Sequence, residues 1–175
     1  LMNAYNSQRV GAGTVALGLA AGAYRNALNF SKEREQFGRP IAEFQGLQWM
    51  LADMSVQLEA WLALWHEAAW SAGHGGSPFP DPTLAAQGKI FTSEMALKVT
   101  TDALQVFGAR GYSRNYPMER LARDARMFTI GGGTAQILRT VVASRILESK
   151  LPQTRDGYTK LAEMEAVRTD LQAAE

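Results

Sequence analysis

Three short strings hold the residues of this sequence whose types and spacing could do chemistry. Each sets glycines beside a cation or a polar side chain, so that backbone N–H groups and charged groups could face one ligand. They run over residues 33–41 (EREQFGRPI), 105–112 (QVFGARGY) and 130–139 (IGGGTAQILR). Taken singly, each has a plain structural explanation, because Arg34 would be a solvated helix end and a glycine triplet would be a turn. The strings therefore gain meaning only from their order along the chain.

The composition argues against several other kinds of site. The chain has 175 residues, of which 46% are hydrophobic, and 18 Lys and Arg nearly balance 17 Asp and Glu. A net charge of +1 is too small to bind nucleic acid through its phosphates. The chain has no cysteine and two histidines, so it has no residues for a disulfide and few for a metal site or a His-based triad. No apolar run reaches the roughly 18 residues of a membrane span, and we expect a cytoplasmic protein without a signal peptide.

Long helical segments separated by Gly- and Pro-rich breaks must position the three strings. Apolar residues recur at three- and four-residue steps, and no run alternates as a strand would. The pattern predicts helices over about residues 4–35, 43–72, 82–107, 117–128 and 134–151. Because such helices bury their apolar faces against one another, we predict an all-α fold, an antiparallel four-helix bundle. Glycines inside the first helix indicate a neighbour packed close to its backbone, at Gly11, Gly13, Gly18 and Gly22.

Residues 151–175 have a different sequence pattern from the helical segments before them. Pro152 interrupts the helical pattern. Beyond it, apolar residues recur on one helical face amid charges, at Leu161, Met164, Val167 and Leu171. We therefore predict a bundle domain over residues 1–150 and an extension over residues 151–175, an amphipathic helix that packs on a partner.

In their order and spacing, the three strings resemble the C-terminal helical domain of the acyl-CoA dehydrogenase family. The shorter strings EFQ (43–45), LADM (51–54), PMER (117–120) and RDA (123–125) add to the resemblance, which covers about residues 1–150. It implies that an N-terminal helical domain and a β-domain precede this one in an enzyme that binds FAD and an acyl-CoA substrate. It also implies a homo-oligomer, a dimer of dimers, in which a second subunit touches the FAD.

The resemblance carries over a set of FAD contacts. Arg34 matches an arginine that reaches the pyrophosphate, where its guanidinium can donate two charge-assisted hydrogen bonds. Thr134 and Gln136 match the flavin edge, where N–H donors at a helix start would face an anion. The residues that match the adenine and adenosine end are Phe37, Phe44, Leu47, Gln105, Gly108 and Ala109, and Gln36 is a further candidate FAD contact.

The residues that match the reacting end lack the expected base. Dehydrogenation removes an α-proton from the thioester, for which the family uses a glutamate at one of two positions. Here those positions hold Gly132 and Gln8, and neither a glycine nor a neutral amide accepts a proton at neutral pH. Arg9 follows Gln8 at this end. The positions that match the rest of the acyl-CoA are Tyr5, Asn6 and Gly131.

The two empty base positions leave three functions open. The protein could be an acyl-CoA dehydrogenase whose base lies elsewhere. It could instead run a reaction that needs no α-proton base, as in the family offshoot that cleaves the C–S bond of 3-sulfinopropionyl-CoA, with Gln8 orienting the substrate. Third, it could be a non-catalytic helical scaffold or partner subunit.

Overall fold

The computed structural model of the chain describes residues 2–74, 76–149 and 155–173. The helices in these ranges are α1 (Met2–Glu33), α2 (Gln45–Trp70), α3 (Pro82–Phe107), α4 (Ala109–Tyr112), α5 (Met118–Phe128), α6 (Ala135–Ile146) and α7 (Arg155–Ala173). A hairpin of β1 (Glu35–Gln36) and β2 (Arg39–Pro40), followed by the 3₁₀ turn Ile41–Glu43, connects α1 to α2. The predicted all-α fold is confirmed, and α1, α2 and α3 begin and end within two residues of their predicted bounds.

The bundle consists of α1, α2, α3 and α5, and α3 packs against each of the other three. Because the connections are short, consecutive helices of the bundle run antiparallel. The last predicted core helix, α6, ends at Ile146 rather than near residue 151. Its start is buried at Ala135 and Leu138, whereas Ile137 and Ile146 are exposed.

A stripe of alanines on α1 allows α1 and α3 to pack closely. Ala16, Ala20, Ala23 and Ala27 recur at three- and four-residue steps, and each is fully buried. They share one core cluster with the small residues of α3, which include Ala96, Val99 and Ala103. Side chains of this size let the two helix backbones approach each other, because little volume stands between them.

The glycines of α1 do not play the role that the sequence suggested. A Cβ built on Gly11, Gly18 or Gly22 would meet nothing within 4 Å, so a closely packed neighbour is wrong for these three. At Gly13 a Cβ would lie 3.5 Å from Thr92 Oγ1 on α3, which is an ordinary contact. The close approach therefore depends on the alanines.

The tryptophans of the chain all lie on α2: Trp49, Trp61, Trp65 and Trp70. Trp61 is almost fully buried, donates its indole N–H to Thr92 Oγ1 on α3, and stacks on Trp65 with ring centroids 5.6 Å apart. Trp49 and Trp70 are exposed. One helix thus carries both shielded and exposed indoles, and the shielded one ties α2 to α3.

Internal contacts divide the chain into two compact units, Leu1–Val141 and Val142–Glu175. The second unit includes α7, as the predicted helical extension requires, but Met164 and Val167 on its expected apolar face are exposed. Residues 151–154, where we expected the extension to begin, and the Leu171 side chain lie outside the described residues. The predicted domain boundary after residue 150 stays a prediction.

Among helices within the described ranges, none combines the length and the apolar character that crossing a membrane requires.

Replacing Gly111 by alanine should destabilise the fold by about 2 kcal/mol, within the range for overpacking. An added Cβ would lie 2.6 Å from the Leu104 carbonyl oxygen and 2.8 Å from Phe107 Cβ, so the junction of α3 and α4 would have to shift. Gly18→Ala is the matched control, because open space surrounds its Cβ position and alanine is the better helix former by roughly 1 kcal/mol. Thermal unfolding of both variants measures the effect, and a Gly111→Ala protein as stable as wild type would contradict it.

Candidate functional site

The hairpin after α1 determines where the first string points. Phe37 and Gly38 form its two-residue turn with φ angles of +52° and +77°, and the paired strands place Phe37 at the tip. The Phe37 side chain is 93% exposed, and its ring meets Phe44 edge-on at 6.1 Å. Arg39 lies 4.2 Å above the Phe44 ring. Of the two phenylalanines predicted at the adenine end of FAD, Phe37 therefore projects into solvent, whereas Phe44 is half-buried and packs against the core.

A groove of about 340 Å³, the end groove, lies where the end of α1, the start of α2 and the junction of α3 and α4 meet. Six of the residues predicted to contact FAD line it: Arg34, Gln36, Leu47, Gln105, Gly108 and Ala109. Phe30 and Phe107 stack at 4.1 Å and give it a flat apolar wall. Gly108 has φ +58° and nothing within 4 Å of its Cβ position, so its backbone is open to a ligand.

The end groove also holds a second arginine, which sequence reasoning missed. Arg110 lines the groove with Arg34, and its guanidinium carbon lies 5.8 Å from the Phe30 ring centroid. Within the described ranges the ion pairs involve neither arginine. The signal was in the second string, where Arg110 follows Ala109 directly. Two unneutralised guanidinium groups beside an apolar wall can hold a ligand that combines a flat ring with anionic oxygens.

Thr134 and Gln136 line a different groove, the side groove, which shares no lining residue with the first. Its walls come from α3, α5 and the start of α6. Thr134 Oγ1 accepts a hydrogen bond from the Ile137 N–H at 3.2 Å, and the Ala135 N–H donates to Thr129 O at 3.0 Å. The expectation of free N–H donors at this helix start is therefore wrong for two of them, because the chain itself caps α6.

An ion pair closes one wall of the side groove. Arg139 reaches Glu94 at 2.7 Å, and Glu94 lines the groove. The hydrogen bond from Arg139 lowers the pKa of Glu94 from its usual value. Glu94 is thus held ionised by a partner and is poorly suited to accept a proton near neutral pH.

The residues predicted at the reacting end lie on the first turns of α1. Gln8 is exposed, while Arg9 is 8% exposed and Asn6 is 4% exposed. Arg9 Nη1 donates to Asn6 Oδ1 at 2.8 Å, and Arg9 Nε is buried without a hydrogen-bond partner. Burial lowers the pKa of the Arg9 guanidinium. Tyr5 is partly exposed, and Asn6 also borders a groove with Asp81 at the start of α3.

The glycine turn, Gly131–Gly133, lies between α5 and α6 and has backbone angles that favour glycine. Gly132 has φ +72° and Gly133 has φ +96°. A Cβ at Gly132 would meet nothing within 4 Å, whereas one at Gly131 would lie 2.9 Å from Met127 Sδ. The position that usually carries the base is thus open in space but strained for any residue with a side chain.

Lys89 ties the glycine turn to α3 and is the second residue that sequence reasoning missed. It is 2% exposed, and its Nζ donates to Gly133 O at 2.6 Å. Burial, and secondly the charge of Arg9, lower the pKa of the Lys89 ammonium. The signal was a lone cation on the buried stripe of α3, between Ala85 and Ala96. Lys89 therefore contacts the glycine turn and is close enough to Arg9 for their charges to interact. Gln8 directly precedes Arg9 in the sequence.

The family model for the acyl-CoA dehydrogenase C-terminal domain matches residues 1–147. The chain is 66% identical over 158 residues to a 3-sulfinopropanoyl-CoA desulfinase of Cupriavidus necator, covering 90% of this chain and 39% of that protein. It is 40% identical over 145 residues to a short-chain specific acyl-CoA dehydrogenase of Clostridium acetobutylicum, covering 83% of this chain and 38% of that one.

Solved structures give the same relationship. Butyryl-CoA dehydrogenase from Megasphaera elsdenii superposes with a TM-score of 0.77 at 39% identity, over 82% of this chain and 37% of that chain. A glutaryl-coenzyme A dehydrogenase in complex with glutaryl-CoA superposes with a TM-score of 0.77 at 32% identity, over 83% of this chain and 36% of that chain. The chain thus spans 39–40% of the length of its curated relatives at 64–66% identity.

Proposed function

The chain belongs to the acyl-CoA dehydrogenase family as its C-terminal domain, and on that premise we propose that the whole protein is an FAD-dependent enzyme of 3-sulfinopropanoyl-CoA desulfination. One observation carries the proposal: the two positions where the family resemblance expects a base hold Gly132 and Gln8. Relatives named 3-sulfinopropanoyl-CoA desulfinase, at 64–66% identity, support this substrate over those named dehydrogenases, at 39–43%.

Desulfination does not need the base that is missing. The C–S bond of the 3-sulfinopropanoyl group breaks, the carbon keeps the electron pair and takes a proton, and the sulfur leaves as sulfur dioxide. Water converts the sulfur dioxide to sulfite, so propanoyl-CoA and sulfite are the products and no external oxidant or reductant is consumed. No carboxylate has to remove an α-proton, and the neutral amide of Gln8 can orient the thioester by donating and accepting hydrogen bonds.

The residues present fit FAD. Arg34 and Arg110 would hold anionic oxygens in the end groove, the Phe30–Phe107 wall and Leu47 would pack on a ring, and open Gly108 admits close approach. Thr134 and Gln136 would lie at the flavin edge in the side groove, where the Thr134 hydroxyl can still donate. When bound, FAD supplies an electron-accepting ring system.

The separation of the two ends favours a homo-oligomer. Arg9 and Arg34 are separated by about 38 Å along α1 at the rise of an α-helix. The end groove and the side groove share no lining residue, so we propose that the end groove of one copy serves the FAD of another, in a dimer of dimers. The N-terminal helical domain and β-domain of the family would complete the acyl-CoA site, and a cytoplasmic location stays a prediction.

Sulfite release distinguishes the proposed reaction from dehydrogenation. We expect the complete flavin-loaded protein to convert 3-sulfinopropanoyl-CoA to equal amounts of sulfite and propanoyl-CoA, both measured by chromatography. Saturated acyl-CoA thioesters should leave the flavin absorbance unchanged without oxygen, because no base starts the proton removal. Bleaching without sulfite release would instead make the protein a dehydrogenase whose base lies outside this chain. A preparation that never takes up flavin would favour the scaffold.

Restoring a carboxylate should restore dehydrogenation, and Gln8→Glu should do so better than Gly132→Glu. Gln8 has ordinary helical backbone, and a base contributes roughly 100-fold or more to such a step. At Gly132 a glutamate faces a strained φ of +72°, which costs about 1–2 kcal/mol. Anaerobic bleaching by butanoyl-CoA measures both variants. Flavin-loaded variants that both stay unbleached would place these positions away from the substrate.

Arg34→Gln should weaken FAD binding by tenfold or more, because a charge-assisted hydrogen bond contributes about 1.5–3 kcal/mol. Arg25→Gln is the matched control, since Arg25 lies exposed on α1 and outside the end groove. Titration of the flavin-free complete protein with FAD, followed by fluorescence, gives both affinities. Equal FAD affinities in the two variants would remove Arg34 from the cofactor site.

A further inference from the structure

Among the residues that the structure describes, two cations are buried without an ion-pair partner. Arg9 on α1 is 8% exposed and Lys89 on α3 is 2% exposed. The ion pairs within the described residues are Lys98–Asp102, Arg123–Glu119 and Arg139–Glu94, and they include neither. Taking a cation out of water costs several kcal/mol unless an anion compensates it. The fold therefore carries an electrostatic cost here that these residues do not offset.

Neutral oxygens are the acceptors that the two cations have. Arg9 donates to the amide oxygen of Asn6, and Lys89 donates to the backbone oxygen of Gly133. Arg9 Nε is buried without any hydrogen-bond partner. A dipole satisfies one N–H but does not cancel a full charge, so the pair still attracts an oxyanion.

The positive field reaches the vacant base position. Lys89 contacts Gly133, which is the neighbour of Gly132, and the charge of Arg9 acts on Lys89. Open space lies where a Gly132 side chain would begin. A glutamate in that space would repel an anionic ligand, whereas a glycine next to the residue that Lys89 contacts leaves the positive charge free to attract one.

We propose that Arg9 and Lys89 form an oxyanion site at the glycine turn, and that it receives the anionic end of the acyl chain, a sulfinate or a carboxylate. This inference rests on the proposed function. In a 3-sulfinopropanoyl thioester the sulfur is bonded to the carbon next to the α-carbon, so the sulfinate lies close to where a base would act. The phosphates of CoA lie at the far end of the pantetheine chain and are a poor match for this site. Lys89 is thus a specificity-determining residue that a dehydrogenase of neutral fatty acyl groups would not need.

The test compares two thioesters that differ only at the acyl end. Propanoyl-CoA is neutral there. 3-Carboxypropanoyl-CoA carries a carboxylate and has no bond between carbon and a sulfinate group to break, so both can be measured at equilibrium. Calorimetry on the complete flavin-loaded protein gives the two Kd values and their ratio. We expect Lys89→Gln and Lys89→Met to lower the preference for the anionic ligand by tenfold or more. Their affinity for propanoyl-CoA should stay within about threefold of wild type.

Two variants of Lys89 distinguish the effect of its charge from the effect of its hydrogen bond to the glycine turn. Glutamine at position 89 can still donate to Gly133 O without a charge, and Lys89→Arg keeps the charge and should keep the preference. Lys32→Met is the control for loss of a lysine, because Lys32 is exposed at the end of α1. Flavin content and melting temperature verify folding, and Lys89→Gln and Lys89→Arg carry the test if Lys89→Met does not fold.

Two results would overturn the inference. An unchanged preference in Lys89→Gln would place the anion elsewhere, and an equal loss of affinity for both ligands would make Lys89 a structural residue only. The proposed reaction has its own test: a wild-type protein that releases no sulfite would contradict the reaction, whichever thioester it prefers to bind.

Discussion

The close packing of α1 against α3 determines where two of the proposed functional groups lie, the buried cations and the end groove. The alanine stripe from Ala16 to Ala27 brings the two backbones together, and both ends of the helix pair then acquire a chemical role. At one end Arg9 and Lys89 become electrostatic neighbours. At the other, the residues that follow α1 meet those that end α3 and line the end groove. Side chains larger than alanine in this contact would separate the helices and weaken both arrangements at once.

At the position where the family resemblance expects a base, the backbone as well as the side chain is that of a glycine. Gly132 and Gly133 have positive φ angles, and Lys89 holds the carbonyl of Gly133 from α3. The turn therefore has a backbone conformation that is unfavourable for a glutamate, and the hydrogen bond from Lys89 stabilises it. This arrangement favours a ligand that brings its own negative charge over one that must lose a proton.

The sequence predicted what depends on periodicity and on local strings, and missed what depends on long-range pairing. Helix bounds followed from apolar spacing. Arg34, Gln105 and Gly108 line one groove, and their contact with FAD stays a prediction. The exposure of Phe37 could not be read from its type, because the positive φ of a two-residue turn placed an aromatic ring in solvent.

Two further features were hidden for a similar reason. Thr134 Oγ1 accepts a hydrogen bond from the Ile137 N–H and so caps α6, and this local bond competes with ligand binding. In the sequence, Lys89 is an ordinary lysine. In the structure it is buried on α3, and its hydrogen-bond acceptor, Gly133, is 44 residues further along the chain. Only the packed bundle shows that a charge on the apolar stripe of a helix lies beside a turn far along the chain.

The placement of the tryptophans on α2 has an optical consequence. Trp61 and Trp65 are stacked, and Trp61 is shielded, whereas Trp49 and Trp70 are exposed. The emission of this domain therefore reports on a single helix and contains two populations, one quenched by iodide and the other protected. Detachment of α2 from α3 would break the Trp61–Thr92 hydrogen bond and shift the protected emission to longer wavelength while α1 and α3 remain paired. Fluorescence and circular dichroism would then record different transitions in the same sample.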